Sequence, residues 1–328
     1  MMVKENVLDK NTTLALEKSN QLSFKQRLSK AKKRIMRHWQ LYIILLIPVV
    51  LVAIFSYGPM YGLQIAFKDY IPSYGIEGSK WVGFKHFINF INSHQFSRLI
   101  GNTITISLYS LIAGFPIPII LALALNECTS TKFKKAVQMI TYAPHFISTV
   151  VMVGIILLIL SPSSGIINQF IQLFGGKPID FMAKPEWFKS IYVWSGVWQG
   201  MGYSSIIYIA ALAGIDPTLH EAAIVDGASR WQRIWHVNIP GILPTVTILL
   251  IMNFGSIMSV GYEKILLMQN SLNMAKSDVI STFVYRMGLE SAQYSFSAAV
   301  GLFNAVINFI LLAIVNMVAK KLGETSLW

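Results

Sequence analysis

Charge is what this sequence has least of. Asp, Glu, Lys and Arg make up 13% of its 328 residues, against about 25% in soluble domains. Cysteine is nearly absent. Cys128 stands alone, so no intrachain disulfide can form. It lies beside a loop expected on the cytoplasmic side, where a thiol stays reduced. The histidines His38, His86, His94, His145, His220 and His236 show no ligand spacing such as H-E-x-x-H. With the lone cysteine, that leaves metal chemistry unsupported. No G-x-x-x-x-G-K-[ST] occurs; the nearest fragment, Gly175-Gly176-Lys177-Pro178, lacks the spacing that cradles phosphates. Any ATP hydrolysis therefore belongs to a partner chain. Ser163-Ser164-Gly165 has no matching histidine on a neighbouring span and reads as a loop turn rather than a serine nucleophile. His145 and His236 read as structural. No aromatic-and-basic stripe points to nucleic acid. No cleavable signal peptide is expected: the first apolar run begins about 40 residues in, is too long for an h-region and lacks a small-residue cleavage site.

What is abundant is apolar. Hydrophobic residues make up 54% of the chain, and several runs reach the roughly 20 residues that cross a hydrocarbon core of about 30 Å. Six spans are expected: 41–63, 100–126, 138–160, 190–213, 241–262 and 297–319. Pro48 and Pro59 kink or end the first, because proline removes a helix hydrogen bond. Pro116 and Pro118 fall in the second, Pro144 and His145 early in the third. Three outer segments are expected, 64–99, 162–189 and 263–296. Within the last, Val279–Met287 reads as an external helix or a re-entrant piece.

Cations orient the chain. The N-terminal tail, the loop with Lys132, Lys134 and Lys135, the 214–240 loop and the C-terminus hold 17 Lys and Arg; the longer outer segments hold 10. Positive residues stay inside, so both termini are expected in the cytoplasm. Lys25, Arg27, Lys30, Lys32, Lys33, Arg34 and Arg37 anchor the tail to that leaflet. The net charge of +12 thus follows from topology. None of the six spans as drawn contains Asp, Glu, Lys or Arg. Ion-coupled transporters keep such charges because they use them. Their lack argues for a neutral or externally neutralised solute and an energy source elsewhere.

One polar stretch stands out between two apolar runs. Asp216 can cap a helix and Pro217 suits its first turn. Gly227 can end it in a left-handed conformation. Leu219, Ala222 and Ala223 then share a face kept low by the alanines, and Glu221 offers a carboxylate. Glu221-Ala222-Ala223 is followed after three residues by Gly227, and after nine more by Val237-Asn238-Ile239-Pro240. This resembles the EAA loop of ABC-importer membrane subunits, the binding-protein-dependent inner membrane components. The segment from Pro59 to Tyr70, with Trp81-Val82-Gly83-Phe84 and Phe87, is similar to the first external loop of the oligosaccharide/polysaccharide branch of the carbohydrate-uptake family. An interfacial aromatic belt is the alternative for those rings.

The resemblance implies an all-α polytopic bundle of the type I importer permease fold. Its parts are a cytoplasmic basic tail (1–40), a first transmembrane helix (41–63), an extracellular loop (64–99), a core permease domain (100–319) with its coupling loop at 214–240, and a C-terminal tail (320–328). It implies a multi-pass bacterial plasma-membrane protein that is no enzyme and holds no cofactor. ATP and Mg are bound by a cytoplasmic ABC ATPase dimer. The further partners implied are a second homologous permease in a heterodimer and an extracellular solute-binding lipoprotein that delivers a sugar. Glu221, Ala222, Ala223, Asp226, Gly227 and Pro240 would couple to the ATPase. For the substrate path, inward-facing polar and aromatic side chains are candidates: Tyr142, Trp198, Gln199, Tyr203, Asn253, Asn304 and Asn308. Helix–helix contact is their alternative role. A secondary transporter or channel is the alternative function; it needs an intramembrane charge or filter.

Overall fold

The computed structural model describes Lys33 and residues 36–321. The tail cations Lys25, Arg27, Lys30, Lys32 and Arg34, and residues 322–328, lie outside the described residues. The chain divides into residues 1–63 and 64–328.

In the first unit, α1 (Trp39–Val52) passes through a π turn (Ala53–Tyr57) into a 3-10 helix (Gly58–Phe67). Pro48 sits inside α1. Pro59 has no N–H, and its ring crowds the carbonyl four residues back. The turn before it widens accordingly, with Gly58 N–H donating to Ala53 O. The result is a continuous apolar helix, Trp39–Phe67, 29 residues long. Its α1 side chains are exposed, as a lipid-facing surface requires.

In the second unit, the expected loop 64–99 carries structure of its own. Strands β1 (Lys68–Asp69) and β2 (Lys80–Trp81) pair antiparallel, with Lys68 opposite Trp81. Helix α2 (Lys85–Ile91) follows. Phe67 stacks on Trp81 at 5.6 Å and touches Phe84 and Phe87 at 5.5 and 5.3 Å. These rings pack on one another, while Trp81 and Phe84 stay exposed. Asp69 pairs with Lys85 at 2.8 Å and His86 at 3.1 Å. The hydrogen bond from Lys85 holds the Asp69 carboxyl below its ordinary range.

Next come α3 (Phe96–Gly114) and α4 (Pro116–Glu127), which together form one 32-residue apolar stretch. The third span is not the continuous 138–160 helix expected. Helix α5 (Thr131–Tyr142), a 3-10 turn (Ala143–Phe146) and α6 (Thr149–Ile159) are bent by 103°. Pro144 interrupts the ladder, Ile147 is extended, and the Ser148 hydroxyl caps α6 by accepting from Val151 N. Short α7 (Ile166–Leu173) lies in the 162–189 segment. The buried Asn168 ties that segment together, donating to Leu160 O, Ser161 O and Ile179 O and accepting from Ile179 N.

Helix α8 (Pro185–Ala213) begins five residues before the expected 190, on Pro185 at its first turn. After α9 (Pro217–Val225), a helix runs from Arg230 to Gly255 and includes α10 (Ile239–Gly255). Span five was expected at 241–262. It starts earlier because Ser229 and Gln232 form a capping box, and it stops earlier, at Gly255. There Asn308 on the last helix accepts from Met258 N at 2.9 Å and donates to Ser259 Oγ at 2.8 Å, holding a non-helical turn. Helices α11 (Tyr262–Met268) and α12 (Ile280–Tyr285), the latter running on into a π turn (Arg286–Glu290), lie in the segment expected outside, where 279–287 reads as an external helix or a re-entrant piece. Helix α13 (Tyr294–Lys321) closes the fold.

Helix α8 is the hub; it packs against α3, α4, α5 and α10. One core joins Ile106, Met152, Phe188, Ile265 and Val279, and a second joins Phe90, Leu99, Phe283 and Val300. Among the described residues four helices are long and apolar enough to span a bilayer, five if the bent pair counts as one. Helix α8 has the length, 29 residues, but its Gln199, serines and glycines lower its hydropathy.

Candidate functional site

Two features carry chemistry. The first is α9. The Asp216 side chain accepts from Thr218 N at 3.0 Å and Pro217 occupies the first turn. These bonds from Thr218 hold the Asp216 carboxyl below its ordinary range. At the other end Asp226 is the C-cap. Gly227 has φ +76°, its N–H bonds Ile224 O, and Ala228 N–H bonds Ala223 O. That is a Schellman stop, and only glycine enters it without cost.

Glu221 and Ala222 are exposed and Ala223 is half-buried. Around them Leu219, Ile224, Val225, Trp231 and Trp235 are all more than half exposed, Val225 by 87%. Such a set of exposed apolar groups on a capped helix suits a protein partner. The loop is clamped from behind. Asn238, fully buried, donates to Glu127 Oε1 at 3.2 Å at the end of α4. A Cβ at Gly241 would sit 2.6 Å from the Ile215 side chain. Pro240 falls in the first turn of α10. These contacts tie the two ends of the loop to the ends of α4, α8 and α10.

The second feature is a cavity of about 570 Å³ among α3, α4, α8, α10 and α11. Three of the seven expected path residues line it: Gln199, Tyr203 and Asn253. Gln199 Nε2 donates to Ile147 O at the bend, at 2.9 Å. Tyr203 stacks flat on His145, 3.8 Å between centroids, which gives that histidine its structural role. Asn253 is exposed and donates to Leu249 O. Tyr142, Trp198, Asn304 and Asn308 do not line it. Asn308 is 9% exposed and its amide is spent on the turn after α10. Asn304, though four residues away on the same helix, keeps a buried Oδ1 without a hydrogen-bond partner among the described residues.

Sequence reasoning missed Tyr192 and Lys264. Lys264 lies just past the early end of α10, on a segment taken for an outer loop. Its Nζ donates to Tyr192 O at 3.0 Å and stands 4.8 Å from the Tyr192 ring centre. Burial pushes its amine down to about 8. The Ser163-Ser164 pair sits, as expected, in a turn, with hydroxyls directed to Ser161.

A helical membrane bundle with a capped, exposed loop helix, an interior cavity and no nucleotide motif of its own agrees with the family it matches, and the chain is the permease subunit of an ABC importer, a transport subunit and not an enzyme. Over residues 114–324 the chain matches one family, and it belongs to it: the binding-protein-dependent transport system inner membrane components. It is 41% identical to the polygalacturonan/rhamnogalacturonan transport system permease protein YteP of Bacillus subtilis (strain 168), over 88% of this chain and 90% of that one. It is 40% identical to protein LplB of the same organism, over 88% and 91%. A crystal structure of a bacterial ABC transporter that imports the acidic polysaccharide alginate superposes with a TM-score of 0.82 at 43% identity, covering 89% of this chain and 99% of that chain. The same holds, at TM-score 0.82 over 90% and 99%, for the bacterial alginate transporter in complex with an alginate-pentasaccharide-bound periplasmic protein.

Proposed function

We propose that this chain is one half of the translocation pathway of an oligosaccharide importer, coupled to its ATPase through α9. The single observation that carries the coupling role is the geometry of 216–227: a capped, exposed helix whose stop requires glycine and whose loop is clamped to three transmembrane ends. Glu221, Ala222, Ala223, Asp226 and Gly227 form the docking face, with Pro240 starting the helix that receives the motion. ATP and Mg stay on the ATPase dimer.

The membrane arrangement we infer has six spans. Four are the continuous apolar helices, the fifth is the bent α5–α6 pair, and α8 is the sixth. Both termini and α9 face the cytoplasm, as the cation bias favours. That leaves 64–99 and 263–290 outside, facing a solute-binding protein. A second, different permease completes the pore, and the type I fold works by alternating access. Relatives that carry polysaccharides and oligosaccharides support the sugar class. Gln199, Tyr203 and Asn253 offer the hydrogen bonds and aromatic face a sugar needs.

The test is Gly227→Asp in the tagged chain. A side chain in the left-handed region costs about 1 kcal/mol, and the carboxylate alters the docking face. ATPase co-purification and sugar-stimulated hydrolysis should each fall about tenfold, a loss of ~1.4 kcal/mol in coupling. Normal stimulated hydrolysis in that variant refutes the coupling role.

A further inference from the structure

Among the 25 residues lining the cavity, Lys264 is the only charged one. Sequence reasoning pointed to a neutral or externally neutralised solute because the spans as drawn held no charge. The fold brings a cation to the cavity from outside those spans. The ion pairs of Asp69 and Asp278 use Lys85, His86, Arg98 and Arg286, and Lys264 takes no part in them. Its ammonium has three donors, and the structure gives one of them an acceptor, Tyr192 O. Gly196 lies beneath it; a Cβ there would sit 3.4 Å from Nζ. The glycine leaves the ammonium room toward the cavity. A half-buried ammonium with no carboxylate beside it is costly, and a ligand that supplies the anion recovers part of that cost.

We propose that Lys264 is the residue that selects an acidic sugar: its ammonium pairs with a carboxylate of a uronic-acid unit as the chain passes the cavity. This rests on the importer reading above. Tyr203 offers its ring face, and Gln199 and Asn253 the hydroxyl contacts. Charge-assisted bonds of this kind are roughly twice as strong as neutral ones, so one such contact separates an acid from its ester.

The ammonium is charged below about 8 and neutral above. The titratable groups on the elements around it are the phenols of Tyr192 on α8 and Tyr285 on α12, and Tyr262 and the exposed Glu263 on its own helix; α6, packed on α11, carries none. Uptake of an acidic sugar should therefore fall about tenfold between pH 7 and 9, as the charged fraction does, and a neutral sugar's should not follow it.

The experiment uses the whole complex, purified through the tagged chain and placed in proteoliposomes with its binding protein. The ligands are an oligogalacturonide, its methyl ester and a neutral maltooligosaccharide. Wild type should import the acid in preference to the ester. K264Q, which keeps a donor for Tyr192 O, should lose about tenfold or more of acid uptake, while K264R keeps most of it. The binding protein is the same in every arm, so its own preference cancels in the ratio of variant to wild type. If K264Q fails to assemble, the pH series on wild type decides. Equal acid uptake by wild type and K264Q, preference for the neutral sugar, or a flat pH series overturns the role of Lys264 and leaves the importer reading standing. Uptake of none of the three by an intact complex overturns the oligosaccharide reading, and the proposal with it.

Discussion

Asp278 is the residue on which the 263–296 segment hangs. It is fully buried and accepts from Arg286 Nη2 at 2.7 Å and Arg98 Nη2 at 3.2 Å. Its backbone carbonyl takes the Asn102 amide at 3.0 Å. Removing one partner of a buried pair costs about 3–5 kcal/mol, because the other charge is stranded. Arg98 is 41% exposed and Arg286 19%, so water softens the loss on the Arg98 side. Asp278→Asn should cost about 3 kcal/mol and lower the apparent Tm in detergent by several degrees, read by a thermal-shift assay. A Tm within one degree of wild type would mean that the segment is held by its apolar contacts alone. Two asparagines separate path from scaffold in the same way. Asn308→Ala strands Met258 N–H and should cost about 1–3 kcal/mol of stability. Asn253→Ala, exposed to the cavity, should slow sugar uptake several-fold with Tm unchanged. Unchanged transport on Asn253→Ala and Tyr203→Ala, at normal expression, removes both from the path.

The element that decides how tightly the bundle closes is α8. At Gly202 a Cβ would overlap the Thr141 backbone carbonyl of α5. Small residues let membrane helices approach this closely. Gly202→Val should cost more than the roughly 1–3 kcal/mol of ordinary overpacking, since backbone cannot yield as a side chain does. Fluorescence-detected size-exclusion should show an aggregated or missing peak. A monodisperse peak at wild-type Tm would mean that α5 moves aside freely. The bend between α5 and α6 was half legible. Pro144 marked a weak point, but the 103° turn depends on Ser148 restarting the helix and on Gln199 holding Ile147 O. A sequence window averages across such a break because both arms are apolar.

For the whole molecule, orientation decides which partner each face can meet, and the single cysteine makes it easy to read. With Cys128→Ala as background, Val225→Cys should react with a membrane-impermeant maleimide only from the cytoplasmic face. Trp81→Cys, on an exposed side chain, should react only from outside. The reverse pattern would invert the membrane topology and remove α9 from any ATPase's reach.

The sequence by itself determined what local chemistry determines. Apolar runs of bilayer length, the caps Asp216 and Pro217, the left-handed stop at Gly227 and the spaced Glu-Ala-Ala pattern each act within a few residues, so they can be read in one dimension. Helix ends were less legible. Gly255 ends α10 early because Asn308, fifty residues on, holds the following turn. The cavity was decided only by tertiary structure. Gln199 and Asn253 meet in it while Asn304 and Asn308 turn away, and Lys264 enters it from a segment that reads as an outer loop. Nothing local to Lys264 says that a helix 72 residues earlier will hold its ammonium at Tyr192. Packing places that charge, and the placement gives the cavity its sign.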